Sequence, residues 1–431
     1  MGRKYFSHYF QTILFYFWPV IDLRKHIGVA IFYFLLVALM GVLLRAFYVI
    51  PISLNYKYIL HAHSHTALLG WIYIGITTLV YKIFLAEAQK PRLYKWIFLY
   101  TNLCILGMLV TFPIQGYALF SIIFSTLFLF ASYWFTWFAL RYVPEHFKFR
   151  FSWKMVHASL WYLVLSSIGP WAVGGVMATL GSTSIWYKIS IYFYLHFQYN
   201  GWFIFALLGI LFYLFEEFGV KFNSRKLKSF FFLLNLGVIL SLFLSILWTV
   251  PPKIYYWVGG LGAVVQIVAF YQLFNILKKH FDLLKQKIGK LSFLLLKWAA
   301  VLMLVKILMQ FLSAIPHLAA ISFVFKDFVL GYLHLVFLGI IIPILLGFLR
   351  YFKLIRLPKS FVLLYLIAFV STEGLIFYKG FSFWLNLPFF SWYFLLLALL
   401  SCLFPVAVGI LFFYNRKNFY LSGQSSKYLG E

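Results

Sequence analysis

The chain has 431 residues, of which 64% are hydrophobic, 23% aromatic and only 10% charged. Soluble domains carry about 25% charged residues, so this composition excludes an ordinary water-soluble core. The net charge of +27 raises the question of nucleic acid, and the placement of the charges answers it in favour of a lipid surface. Two cysteines, Cys104 and Cys402, lie in separate apolar runs and give no disulfide framework, CxxC or iron–sulfur pattern.

In chain order, residues 5–21 come first, with Phe6, Tyr9, Phe10, Phe15, Phe17 and Trp18. The stretch is too short to cross a bilayer and lacks a small-residue cleavage site, so it reads as a short N-terminal interfacial helix and not a signal peptide. Twelve apolar runs follow, each near or above the roughly 20 residues that a span requires. They cover about 27–49, 59–81, 93–113, 117–140, 155–180, 189–215, 229–250, 255–277, 291–315, 328–349, 360–379 and 391–414. Of the 36 Lys and Arg residues, 28 fall in alternate connections that share one side, five fall on the other, and Arg45, Lys297 and Lys306 fall within runs. Such a split is the positive-inside pattern. It predicts an all-α integral membrane protein, a bundle of twelve transmembrane helices with both termini cytoplasmic. The expected division is an N-terminal cytoplasmic or interfacial segment at 1–26, one transmembrane domain at 27–414 and a cytoplasmic tail at 415–431. The expected surroundings are a lipid bilayer, with no nucleic acid.

The second run opens with Leu60-His61-Ala62-His63-Ser64-His65-Thr66-Ala67-Leu68-Leu69-Gly70-Trp71. Ionisable side chains at membrane depth are costly and mark functional sites, and imidazole is the commonest metal ligand. His61 and His65 are i and i+4 and share a helix face, whereas His63 points largely away. One site can therefore take at most two of the three. His65 reads as a ligand, with the small Gly70 leaving room for a flat macrocycle. The other reading is an interfacial cluster bonded to headgroups and loop carbonyls. By orientation, Arg45 in span 1, His196 in span 6 and His334 in span 10 reach the same outer layer. Arg45 either pairs with an acidic group of a cofactor or snorkels to the outer headgroups. His8, His26, His146 and His280 read as solvated, His157 as lying at the cytoplasmic start of span 5, and His317 as surface. Tyr48, Trp71 and Trp186 read as an interfacial aromatic belt. Lys306 and Glu373 are opposite charges within spans and could pair. Glu216 and Glu217, at the end of span 6, read as a proton entrance or a solvated helix end. The few acids in the spans outline no continuous proton path, so strong proton pumping is not expected.

Twelve spans, with histidines in the second, sixth and tenth, resemble subunit I of the heme-copper oxidase superfamily. His65-Thr66-Ala67-Leu68-Leu69 is similar to the second-helix motif of its nitric oxide reductase and high-affinity oxidase branches. The resemblance implies that His65 and His334 are axial ligands of a low-spin, bis-His heme. Tyr332-Leu333-His334 resembles the tenth-helix His-x-His motif, with Tyr332 at the place of the high-spin heme ligand. His196 falls where the sixth helix supplies a copper ligand, and Gln198 where many oxidases carry a proton-carrying Glu. The family's adjacent span-7 histidines have no counterpart, since 229–250 contains no His.

These features lead to the expectation of a heme-binding membrane redox protein in a bacterial cytoplasmic (inner) membrane. It would keep the low-spin site, with His61 and Arg45 beside the heme, and would carry a degenerate or remodelled binuclear site. Copper at His196 is a further expectation that the missing histidines weaken. Any enzymatic activity would be that of an oxygen or nitric oxide reductase, served by an electron-donor protein or a second subunit. The alternative is a multi-pass transporter that handles a metal ion or heme through these histidines. A third reading is a non-catalytic assembly or sensor subunit.

Overall fold

The computed structural model describes residues 21–420, and the interfacial helix expected upstream, with His8, falls outside them. Twelve helices are long and apolar enough to cross a membrane, and they match the twelve expected runs in order. They are α1 (Leu23–Ala46), α2 (Tyr56–Ala88), α3 (Pro91–Gln115), α4 (Leu119–Tyr142), α5 (Phe151–Thr179), α6 (Ile185–Glu217), α7 (Ser224–Thr249), α8 (Lys253–Ile288), α9 (Lys290–Ser313), α10 (Asp327–Tyr351), α11 (Lys359–Trp384) and α12 (Tyr393–Lys417). Among the described residues there is no β-strand. The chain is a multi-pass helical membrane protein, and lipid is its solvent.

The local signals that start these helices are ordinary ones. Asp22, Asn55 and Asn223 cap α1, α2 and α7, each accepting from a backbone amide two residues on. Pro91 opens α3, where its missing N–H costs nothing. Helix continues through Tyr420, past the point at 414 where a tail was expected.

The helices are not equivalent. The most apolar stretches of α2, α6 and α10 are 94%, 83% and 56% buried, against 28–50% for the other nine. The lower half of α2 touches both α6 and α10, and α6 touches α10, so these three form an inner core. The others follow one another around it, and α12 closes the ring on α1. The bundle is thus three successive groups of four helices, each placing its second helix inside. In the residue pattern its counterpart is the histidine carried by the second, sixth and tenth spans.

A second regularity goes with it. Each inner helix turns π-helical directly after a histidine, at Thr66–Tyr73 after His65, Phe197–Phe203 after His196 and Leu335–Ile341 after His334. π-Helical turns are rare and often accompany functional sites. Here they share one position in all three repeats.

Gly70 sits in the first of these turns, and a Cβ there would lie 2.9 Å from the Tyr33 ring of α1. The space expected for a macrocycle is filled by Tyr33. Trp71 is 1% exposed and stacks on Phe34 at 4.9 Å, so it belongs to the core and not to an interfacial belt. Tyr48 and Trp186 are exposed, as a belt requires. His26 is also buried, stacked on Phe98 at 3.6 Å, because the start of α1 is covered by α3. His317 is exposed, and His146 stands 3.7 Å from Glu87 on the surface.

Candidate functional site

The three histidines of α2 divide between two faces. His65 turns toward α3. Its Nδ1 faces the His61 carbonyl at 2.9 Å and so carries the proton, and its Nε2 then accepts from the Tyr117 hydroxyl at 3.2 Å. The ring lies 4.5 Å from that of Phe112, and the His61 ring lies 4.5 Å from that of Tyr117. Both ring nitrogens of His65 are therefore committed to protein atoms, on the side of α2 that faces away from α1.

His63 turns the opposite way. Its Nδ1 donates to the Val37 carbonyl of α1 at 3.0 Å, and a Cβ on Gly41 would lie 3.3 Å from its Cε1. That single bond fixes the tautomer and leaves the Nε2 lone pair uncommitted. His63 and Arg45 both lie within electrostatic range of His334 on α10. Among the described residues, no hydrogen bond engages the His334 ring. Sequence reasoning joined His334 to His65; the structure brings it together with His63. Helical spacing had already put His63 on its own face, but only the packing of α1 and α10 shows which face meets His334.

Two charged groups complete this region. Arg45, in the last turn of α1, is partly buried and interacts electrostatically with Glu373 of α11 as well as with His334. Glu373 is 6% exposed, and neither carboxyl oxygen has a hydrogen-bond partner. Its Oε1 lies 3.1 Å from where a Cβ on Gly331 of α10 would stand. Burying a carboxyl without a partner is expensive, so this region carries unspent polar capacity on α1, α2, α10 and α11.

A different arrangement surrounds His196 on α6. Its Nε2 donates to the Val238 carbonyl of α7 at 2.8 Å, and its Nδ1 accepts from Asn200 at 3.2 Å and Ser245 at 3.3 Å. The Asn200 amide oxygen in turn accepts from the Lys306 ammonium of α9 at 2.5 Å. Lys306 also reaches the Gln266 amide oxygen of α8 at 3.5 Å, while the Gln266 amide nitrogen donates to Ser241 and the Gly237 carbonyl. His196, Asn200, Gln266 and Lys306 are each at most 3% exposed. The chain ties four helices together, and Lys306 is spent here and does not pair with Glu373. Gln198 donates to Ser166 of α5 at 2.8 Å. Tyr332 of α10 lies against Tyr199 of α6, with ring centroids 6.1 Å apart.

Glu216 and Glu217 staple α6 to the start of α5. Glu216 accepts from the Ser152 amide at 3.0 Å and Glu217 from Arg150 at 2.6 Å. Among the described residues, no three His, Cys, Asp or Glu side chains converge to hold a metal ion.

A heme, which the family resemblance implies, can be tested against these residues. Bis-imidazole ligation needs two imidazoles on different helices, each with a nitrogen free and its orientation set by a second bond. His63 meets all of this; His334 offers free ring nitrogens on a second helix, and no protein hydrogen bond sets its ring. Arg45 supplies a cation for acidic substituents, of the kind that pairs well with carboxylates. The residues of this face fit such a group; His65 and His196, with both nitrogens engaged, fit less well.

What the fold and this region define is a class, the twelve-span helical membrane proteins with buried or half-buried histidines on the inner helices. No protein-family model matches the chain, and no curated protein matches it.

Proposed function

We propose that this protein binds heme noncovalently between α2 and α10 and carries electrons within the membrane. His63 and His334 would hold the iron, and Arg45 would pair with a heme carboxylate. Two imidazole ligands would leave a bound heme to supply one-electron redox chemistry, which suits electron transfer over small-molecule activation. The Val37 carbonyl holds the His63 ring and raises its basicity by accepting Nδ1–H. Arg45 stabilises the electron-rich ferrous state by its charge. Glu373, near Arg45, limits that effect when ionised.

We further propose that the protein is a divergent relative of heme-copper oxidase subunit I. The region around His196 would be a remodelled former catalytic site, now filled by Lys306 and Asn200. Both termini would face the cytoplasm of a bacterial cell, because 28 of 36 basic residues share their side. The observation that carries the reading is the uncommitted imidazole pair, His63 and His334, beside a partly buried arginine. A reduced-minus-oxidised visible spectrum of the purified protein tests it. One low-spin heme per chain that is insensitive to carbon monoxide supports electron transfer. Absence of heme from protein purified and reconstituted with hemin refutes it.

A further inference from the structure

The ends of α4, α5 and α7 on the side of the basic connections enclose a cavity of about 560 Å³. Its lining includes the cations Lys148, Arg150, Lys154 and Lys228 and the apolar Leu140, Val143, Trp153 and Leu227. Two of the four cations are neutralised locally, Lys148 by Glu145 and Arg150 by Glu217 at 2.6 Å. The other two are not. Lys154 rests its ammonium over the Phe231 ring at 4.2 Å, and among the described residues neither it nor Lys228 has a carboxylate partner. Phe149, also lining the cavity, is 92% exposed.

Cations and hydrocarbon in one lining match the two halves of a phospholipid. Basic pockets between transmembrane helices on the positive side bind anionic headgroups. We propose that this cavity is a binding site for one anionic phospholipid. Its phosphate would lie between Lys154 and Lys228, with an acyl chain along Leu140, Val143 and Leu227. The uncompensated lysines give the site its preference for an anionic over a zwitterionic lipid.

The test uses delipidated protein in neutral detergent. Native mass spectrometry and thermal unfolding are followed as phosphatidylglycerol, phosphatidylcholine or inorganic phosphate is added. Phosphatidylglycerol should bind at one copy per chain and raise the unfolding temperature, with phosphatidylcholine and phosphate doing neither. Lys154→Gln combined with Lys228→Gln should weaken that binding about tenfold or more, each lysine near an anionic surface being worth roughly one kcal/mol. Arg225→Gln combined with Lys226→Gln removes the same amount of charge from the start of α7, outside the cavity lining, and should leave binding unchanged. Equal loss in both double variants, or equal binding of phosphatidylcholine, would overturn the assignment. Stabilisation by inorganic phosphate alone would also overturn it, in favour of a free-anion site.

Discussion

The bundle holds two buried polar regions, and they differ in whether their atoms have partners. Around His196, both ring nitrogens, the Asn200 amide and the Lys306 ammonium are bonded to one another or to backbone across α6 to α9. Around His63 and His334, one ring nitrogen of the first, the whole ring of the second and both oxygens of Glu373 have no hydrogen-bond partner among the described residues. A fully bonded network rigidifies a core. A region that leaves costly groups unspent is held for something else. By that criterion the proposal places the heme at the His63 region and reads the His196 region as structural, although the same residue type opens both.

The contrast can be broken most sharply at the ligands. His63→Ala or His334→Ala should abolish the low-spin heme signal, read as absorbance per chain, while His65→Ala should retain it. Loss in His65→Ala with retention in His63→Ala would move the site to the α3 face of α2.

Next in size is the satisfied network. Asn200→Leu strips the Lys306 ammonium of its shortest bond in a dry interior. We expect a loss of about 2–3 kcal/mol, since bonds to charged groups are the stronger ones, seen as a lower unfolding temperature in detergent. Heme content should be unchanged, because the network touches neither ligand. Gly70→Ala should cost about 1–3 kcal/mol by overpacking against Tyr33, again with the heme retained.

Smaller effects sharpen the picture of the site itself. Arg45→Gln removes a cation that favours the reduced form, so the heme midpoint potential should fall by tens of millivolts, measured by redox titration. Glu373→Gln should raise it or leave it unchanged. Tyr117→Phe removes only the donor to His65, and a stability change below about 1.5 kcal/mol is expected.

Much of the architecture was legible in the residues. Charge alternation and run lengths placed all twelve helices, because in lipid each span must be helical and long enough. The inner positions of α2, α6 and α10 were not legible. The runs of α2 and α6 are no more apolar than their neighbours', and lipid and a protein core favour the same side chains. The same blindness explains Trp71, expected at the interface and found in the core against Phe34. For the site, the spacing of His61, His63 and His65 separated the faces correctly. Assigning His65 to His334 followed a motif, whereas the partner of each face is decided by which helix packs there. The pairing of Lys306 with Asn200, and not with Glu373, depended likewise on neighbours that no single span reveals.

The central claim is that His63 and His334 hold a heme. The measurement that tests it most directly is the reduced-minus-oxidised spectrum, with a pyridine hemochrome assay, of the wild type beside His63→Ala, His65→Ala and His334→Ala purified in parallel. The account predicts one low-spin heme per chain in the wild type and in His65→Ala, and none in the other two. Equal heme in all four proteins, or heme lost only with His65, would contradict it.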